Sequence, residues 1–175
     1  MINVKKSSRN FLNSLFNKSN VMPSIALVAA LVFGFFVLKP KTDLYKQFAE
    51  HSALETKVKG NIDAELLQIP YLFNDNKYEE VIPKLELYLQ KNPNDDEMQL
   101  ALGISFLETG QIKPALIRFS NVYGKQNDFK NKASWYMALA YLKSENKDQA
   151  RAFLGEIESN SFYFEKASKL LKKLH

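Results

Sequence analysis

The sequence predicts an all-α chain: a helical-repeat solenoid closed by a C-terminal capping helix and preceded by one transmembrane helix. Three observations carry that prediction. Between Lys18 and Lys39 lie 20 residues without a charge, SNVMPSIALVAALVFGFFVL. Beyond them, small and large apolar residues recur together at intervals of 34 and 35 residues. No segment shows alternating apolar and polar residues bounded by turn residues, the mark of a strand.

The uncharged run comes first. At ~1.5 Å per residue it is roughly 30 Å long, the thickness of one hydrocarbon core. It has no polar face, as a buried helix of a globular domain would, and Pro23 falls in its first turn, where a missing N–H does little harm. LKPK follows where a small-x-small cleavage site would stand, so the reading is a retained span over 21–39 rather than a signal peptide. Residues 1–20 form a basic tail with Lys5, Lys6, Arg9 and Lys18. Lys39, Lys41, Lys46 and Lys57 flank the other side, so the positive-inside count is close to a tie. The acid-free tail favours a cytoplasmic N-terminus. The remainder then faces the periplasm of a bacterium, with the chain held in the inner membrane. Ala26, Ala30 and Gly34 form a stripe of small residues on which another helix could pack; abundance of alanine and glycine in such spans explains the same stripe.

Charge is distributed to match. The net charge of +5 sits in residues 1–39, which hold five basic residues and no acid, leaving 19 basic and 19 acidic residues in 40–175. A nucleic-acid binder carries its excess on a folded face, so no nucleic-acid partner is expected. The chain has no cysteine, which excludes disulfides and thiolate metal sites.

Residues 40–60 form a juxtamembrane segment, with DLYKQFAEHSALETKVKG reading as a helix from about Thr42 to Lys57. It either continues the span or folds back to cap the first repeat. Then comes LALGISFLETGQIKPALIRF, residues 100–119. Glycine costs about 1 kcal/mol against alanine inside a helix, so Gly103 needs a packing reason. Moving 35 residues along takes Leu102, Gly103 and Phe106 to Met137, Ala138 and Tyr141, and Ala115 and Phe119 to Ala150 and Leu154. Moving back 34 takes Ala115 and Phe119 to Val81 and Leu85.

This pattern resembles the tetratricopeptide repeat (TPR) family, whose repeats are pairs of antiparallel helices with small residues at the helix crossing. The resemblance covers residues 61–175, with repeats at about 62–95, 96–130 and 131–163 and a cap over 161–174. The second repeat matches best, through Leu102, Gly103, Phe106, Gly110, Ala115 and Phe119. The first is weakest, with Ile69 where a small residue belongs. Gly103 is then expected to face Ala115 where the two helices cross, with Phe106 and Phe119 on either side. Asn94 is expected to cap the helix beginning NDDEMQL, with Glu97 completing a capping box. Gly110, Asn76 and Asn146 mark turns that need a positive φ, and Pro83 and Pro114 fall near the starts of second helices.

No enzyme is expected. His51 and His175 are the only histidines, too few and too scattered for a metal pair or triad, and no Gly-rich phosphate loop is present, so no cofactor is expected. The resemblance implies a concave groove lined by first helices: Leu66, Pro70, Phe73, Leu100, Ile104, Leu107, Trp135, Leu139 and Leu142, with Glu97, Glu108, Lys132 and Lys143 at its edges. The family's carboxylate clamp is missing. An apolar lining suits an amphipathic helix or a hydrophobic segment of a partner protein. The same residues are equally what a core would show, or a face covered by the preceding helix or by a second copy in a homo-oligomer.

Three functions fit: a membrane-tethered protein-binding scaffold, an accessory subunit of a larger membrane complex, or an envelope signalling regulator. The last draws on similarity to small envelope TPR proteins of Bacteroidetes, through FLETGQIKPALIRF and KASWYMALAYLKSENKDQARAFL. Some of those carry an N-terminal anti-sigma module. Residues 1–20 are too short for one and hold no zinc ligands, so signalling would act through a partner.

Overall fold

The computed structural model describes residues 43–54, 66–125 and 129–174. The expected span over 21–39, with Ala26, Ala30 and Gly34, lies outside them. Among the described residues no helix is long and apolar enough to cross a membrane. All regular structure there is helical, as the sequence predicts. In chain order the helices are α1 (Leu44–Phe48), α2 (Ile69–Asn74, entered through a 3-10 turn Leu66–Gln68), α3 (Tyr78–Lys91), α4 (Asp96–Glu108), α5 (Ile112–Tyr123), α6 (Lys130–Lys143), α7 (Lys147–Gly155) and α8 (Phe164–Lys173).

From α2 to α8 each helix packs on the next, and α4 also touches α6. Three helix pairs, α2/α3, α4/α5 and α6/α7, are joined by turns of one design. In the first, the N–H groups of Asp75, Asn76 and Lys77 donate to the carbonyls of Tyr71, Phe73 and Leu72. In the second, Thr109, Gly110 and Gln111 donate to Ser105, Leu107 and Phe106. In the third, Ser144, Glu145 and Asn146 donate to Ala140, Leu142 and Tyr141. The middle residue takes a left-handed backbone each time: Asn76 at φ 58°, Gly110 at 80° and Glu145 at 61°. This is a Schellman-type helix ending, which satisfies carbonyls that the last turn would leave unpaired. Asn146, expected at the positive-φ position, instead caps α7, its side chain accepting from the N–H of Gln149 at 3.2 Å.

Two other local expectations are corrected. Asp95, not Asn94, caps α4: its side chain accepts from the N–H of Met98 at 3.2 Å and from the Tyr88 hydroxyl at 3.0 Å. The cap is one residue later because Tyr88 fixes Asp95 from the preceding helix. Pro83 lies at the sixth residue of α3 rather than in its first turn, so its missing N–H forfeits a helix bond to the carbonyl four residues back.

The crossing of α4 and α5 explains Gly103, and Phe119 is the neighbour that presses on it. A Cβ at residue 103 would lie 2.7 Å from Cδ1 and 3.0 Å from Cζ of Phe119. The three atoms nearest such a Cβ all belong to the Phe119 ring, and Ala115 on the same helix is fully buried. Phe119 in turn stacks on Tyr136 of α6, with ring centroids 5.6 Å apart. The glycine thus makes room for a ring that ties one helix pair to the next.

The helices differ in how they are buried. In α4 ten consecutive residues, Met98–Leu107, are buried. In α6 the run Ala133–Ala140 is buried, followed by Leu142. By contrast α3, α5 and α7 bury one face and expose the other, the ordinary pattern of an outer helix. A helix buried all round needs neighbours on every side. For α4 and α6, part of that cover comes from α1.

Candidate functional site

Of the residues expected to line a groove, all but one are buried: Leu66, Phe73, Leu100, Ile104, Leu107, Trp135, Leu139 and Leu142 are at most 9% exposed, and Pro70 is half-buried. Across this region runs the segment 43–54. Its helix α1 is only five residues long, far shorter than the expected helix, and the residues from Ala49 to Leu54 are not helical. Helix α1 packs on α6 and α8. Tyr45 and Leu54 are 7% and 6% exposed. With Phe48 and His51 they recur every third residue, and each of the four has its own receptor.

Tyr45 donates its hydroxyl to the Glu108 carboxylate at the end of α4. Lys143 of α6 places Nζ 4.4 Å over the Tyr45 ring and donates to the Leu107 carbonyl at 2.7 Å. One ammonium thereby caps α4 and clamps the incoming ring. Phe48 meets Trp135 edge-on, with centroids 6.4 Å apart, and Trp135 stacks on Tyr163 at 5.9 Å. His51 lies 2.9 Å from Glu108 Oε1 through Nε2, and its Nδ1 is 3.4 Å from the Tyr136 hydroxyl. A carboxylate only accepts, so Nε2 carries the hydrogen. Leu54 is held through its backbone: its N–H donates to Asn74 Oδ1 at 2.8 Å, and its carbonyl accepts from Asn74 Nδ2 at 3.2 Å. Such a two-point amide grip reads main chain and not side chain.

The electrostatics reflect this placement. Burial pushes the Glu108 carboxyl up, but hydrogen bonds from His51 and Tyr45 and the charges of His51 and Lys143 outweigh it, leaving it below the ordinary carboxylate value. Burial raises Tyr45, with Glu108 adding to it, and burial raises Tyr136. Tyr78, whose ring packs against His51, is pushed up to about 12 by burial and the Glu108 charge. Lys132, at the expected rim, is lowered by burial, with Glu97 opposing. Both nitrogens of His51 are engaged, so the His–Glu pair fastens the segment rather than presenting a base. No group of three or more His, Cys, Asp or Glu side chains among the described residues is arranged to hold a metal.

The sequence pattern placed Glu108 and Lys143 at the edge of the groove. It did not single out Tyr45, Phe48, Leu54 or Asn74, and it considered His51 only to set it aside as a metal ligand or catalytic base. The three-residue spacing of the apolar and aromatic residues in 43–54 was the available signal. Compared with known proteins, the chain matches no family model and no curated protein.

Proposed function

We propose that the chain is a membrane-anchored TPR scaffold whose inner face binds a hydrophobic or partly helical segment of a partner protein, and that residues 43–54 are the chain's own occupant of that face. The observation that carries this reading is the receptor around residues 43–54: four side-chain positions at regular spacing, one gripped by an amide through its main chain, as peptide recognition requires. The TPR assignment draws support from three helix pairs with one turn design, recurring at residues 76, 110 and 145. The anchor draws on the uncharged run 19–38, and a periplasmic location of the repeats on the basic tail before it.

The test uses the full-length chain in detergent and a labelled peptide of residues 43–54. A Tyr45→Ala/Phe48→Ala/Leu54→Ala variant should bind the peptide at least tenfold more tightly than the wild type, because its own segment no longer competes. A variant that keeps its helical circular dichroism yet binds no peptide refutes the recognition reading. Mild-detergent co-purification then separates a scaffold with several clients from the second reading, a subunit of one stoichiometric membrane complex. That second reading gains from the filled inner face, which leaves outward residues such as Leu87 and Ile117, 39% and 59% exposed, as contact points.

A further inference from the structure

Building on the recognition reading, we propose that the receptor around residues 43–54 selects partner segments by their hydrogen-bond donors, with Glu108 as the specificity-determining residue. The partner segment carries a phenol, an aromatic ring, a donor side chain and an aliphatic residue, each three positions after the last.

Tyr45 and Leu54 are buried and Phe48 and His51 half-buried, whereas Lys46, Gln47, Glu50, Ser52 and Ala53 between them are exposed. Of the exposed side chains, Gln47 accepts from Lys173 at 2.9 Å and Glu50 from Lys166 at 3.0 Å. Acceptors thus meet the lysines of α8, and donors meet a carboxylate. The Tyr45 hydroxyl and His51 Nε2 both bond the same oxygen, Oε1 of Glu108.

That convergence sets the choice. With the segment seated, the Glu108 side chain is 24% exposed. An occupant that covers the carboxylate without bringing donors leaves a charge part-buried and unpaired, and one that brings an acid sets two negative charges together. Lys143 adds a nearby positive charge, but its ammonium is bonded to the Leu107 carbonyl at 2.7 Å and stands 4.4 Å over the Tyr45 ring. A phenol satisfies both groups at once, its ring beneath the cation and its hydroxyl on Glu108. A phenylalanine supplies only the ring, and a serine only the hydroxyl. At the last position Asn74 Oδ1 takes the main-chain N–H of Leu54 at 2.8 Å, which bars proline there. A hydrogen bond to a charged group corresponds to about tenfold or more in affinity.

The test uses the full-length Tyr45→Ala/Phe48→Ala/Leu54→Ala chain in detergent and labelled peptides of residues 43–54 differing at one position. Tyr45→Phe and His51→Ala peptides should each bind about tenfold more weakly than the parent, and a Tyr45→Glu peptide more weakly still. When the receptor also carries Glu108→Gln, the penalty for Tyr45→Phe should shrink several-fold. Equal affinity for all the peptides overturns the selection and leaves the recognition reading intact. Binding of none, with helical circular dichroism retained, overturns the recognition reading, and the selection falls with it. The intact chain reads the same choice without a peptide or the triple variant. Exchange of the Leu54 amide should quicken in Tyr45→Phe and in Glu108→Gln, and little further in the two combined; effects that simply multiply overturn the selection. Dimers of the wild-type chain that the free peptide dissolves would make a second copy the occupant and overturn the partner.

Discussion

Replacing Gly103 with alanine should destabilise the protein, although alanine is the better helix former. The helix gains about 1 kcal/mol from the change. Against that, the new Cβ would lie 2.7 Å from Phe119 Cδ1, and ordinary contact between carbons begins near ~3.5 Å. Cε1 is nearer still, so the ring must retreat by about an ångström or slightly more. It cannot do so freely, because it is fully buried and stacked on Tyr136, which is fully buried too. Overpacking of this kind costs about 1–3 kcal/mol, and two immobile neighbours put the cost in the upper part of that range. The net loss is then about 1–2 kcal/mol, or a fall in Tm of roughly 3–8 °C for a domain of this size. Thermal and urea unfolding of the full-length chain, followed by circular dichroism, reads the effect. Shortening the ring in Gly103→Ala/Phe119→Leu should recover about 1 kcal/mol relative to the sum of the single changes. A Gly103→Ala protein as stable as wild type, or strict additivity in the double variant, would refute the reasoning.

Other predictions use the turns and the charged cluster. Glu145 holds a left-handed backbone at φ 61°, a conformation that costs a non-glycine residue about 1 kcal/mol; Glu145→Gly should therefore raise the urea midpoint by a corresponding amount. Glu108 titrates below its unfolded value, so its contribution is present above about pH 4.3 and lost as pH falls through the native value; residues 43–54 should loosen in acid before the helices melt. Tyr45, Tyr78 and Tyr136 titrate above theirs, so their contribution holds below about pH 10 and is lost as pH rises through their raised values; tyrosinate absorbance should lag behind that of free tyrosine until unfolding releases it.

The helices and their pairing were legible because the small residues at the crossings and the turn residues recur at one interval. Where the pattern pointed one residue away, tertiary contact decided. Asn94 and Asp95 are both good caps, and only the Tyr88 hydroxyl selects the second. Glu145 carries no intrinsic mark of a left-handed turn, but it stands 35 residues after Gly110, and the repeat dictates its backbone. The inner face was harder to read for a different reason. LALGISFL and ASWYMALAYL have no polar side, and a helix without one is buried all round. Those two stretches already demanded cover on the side away from α5 and α7. What could not be read was which segment supplies it, since contacts such as Tyr45 with Glu108 span 63 residues and leave no local periodicity.

Hydrogen exchange on the full-length chain tests that cover most directly. Residues 43–54 should exchange slowly, above all the Leu54 amide, which is bonded to Asn74 Oδ1 at 2.8 Å. In Asn74→Ala the Leu54 amide should lose most of its protection while α4 and α6 keep theirs. Exchange of the wild-type segment at the rate of an unstructured peptide would contradict the account.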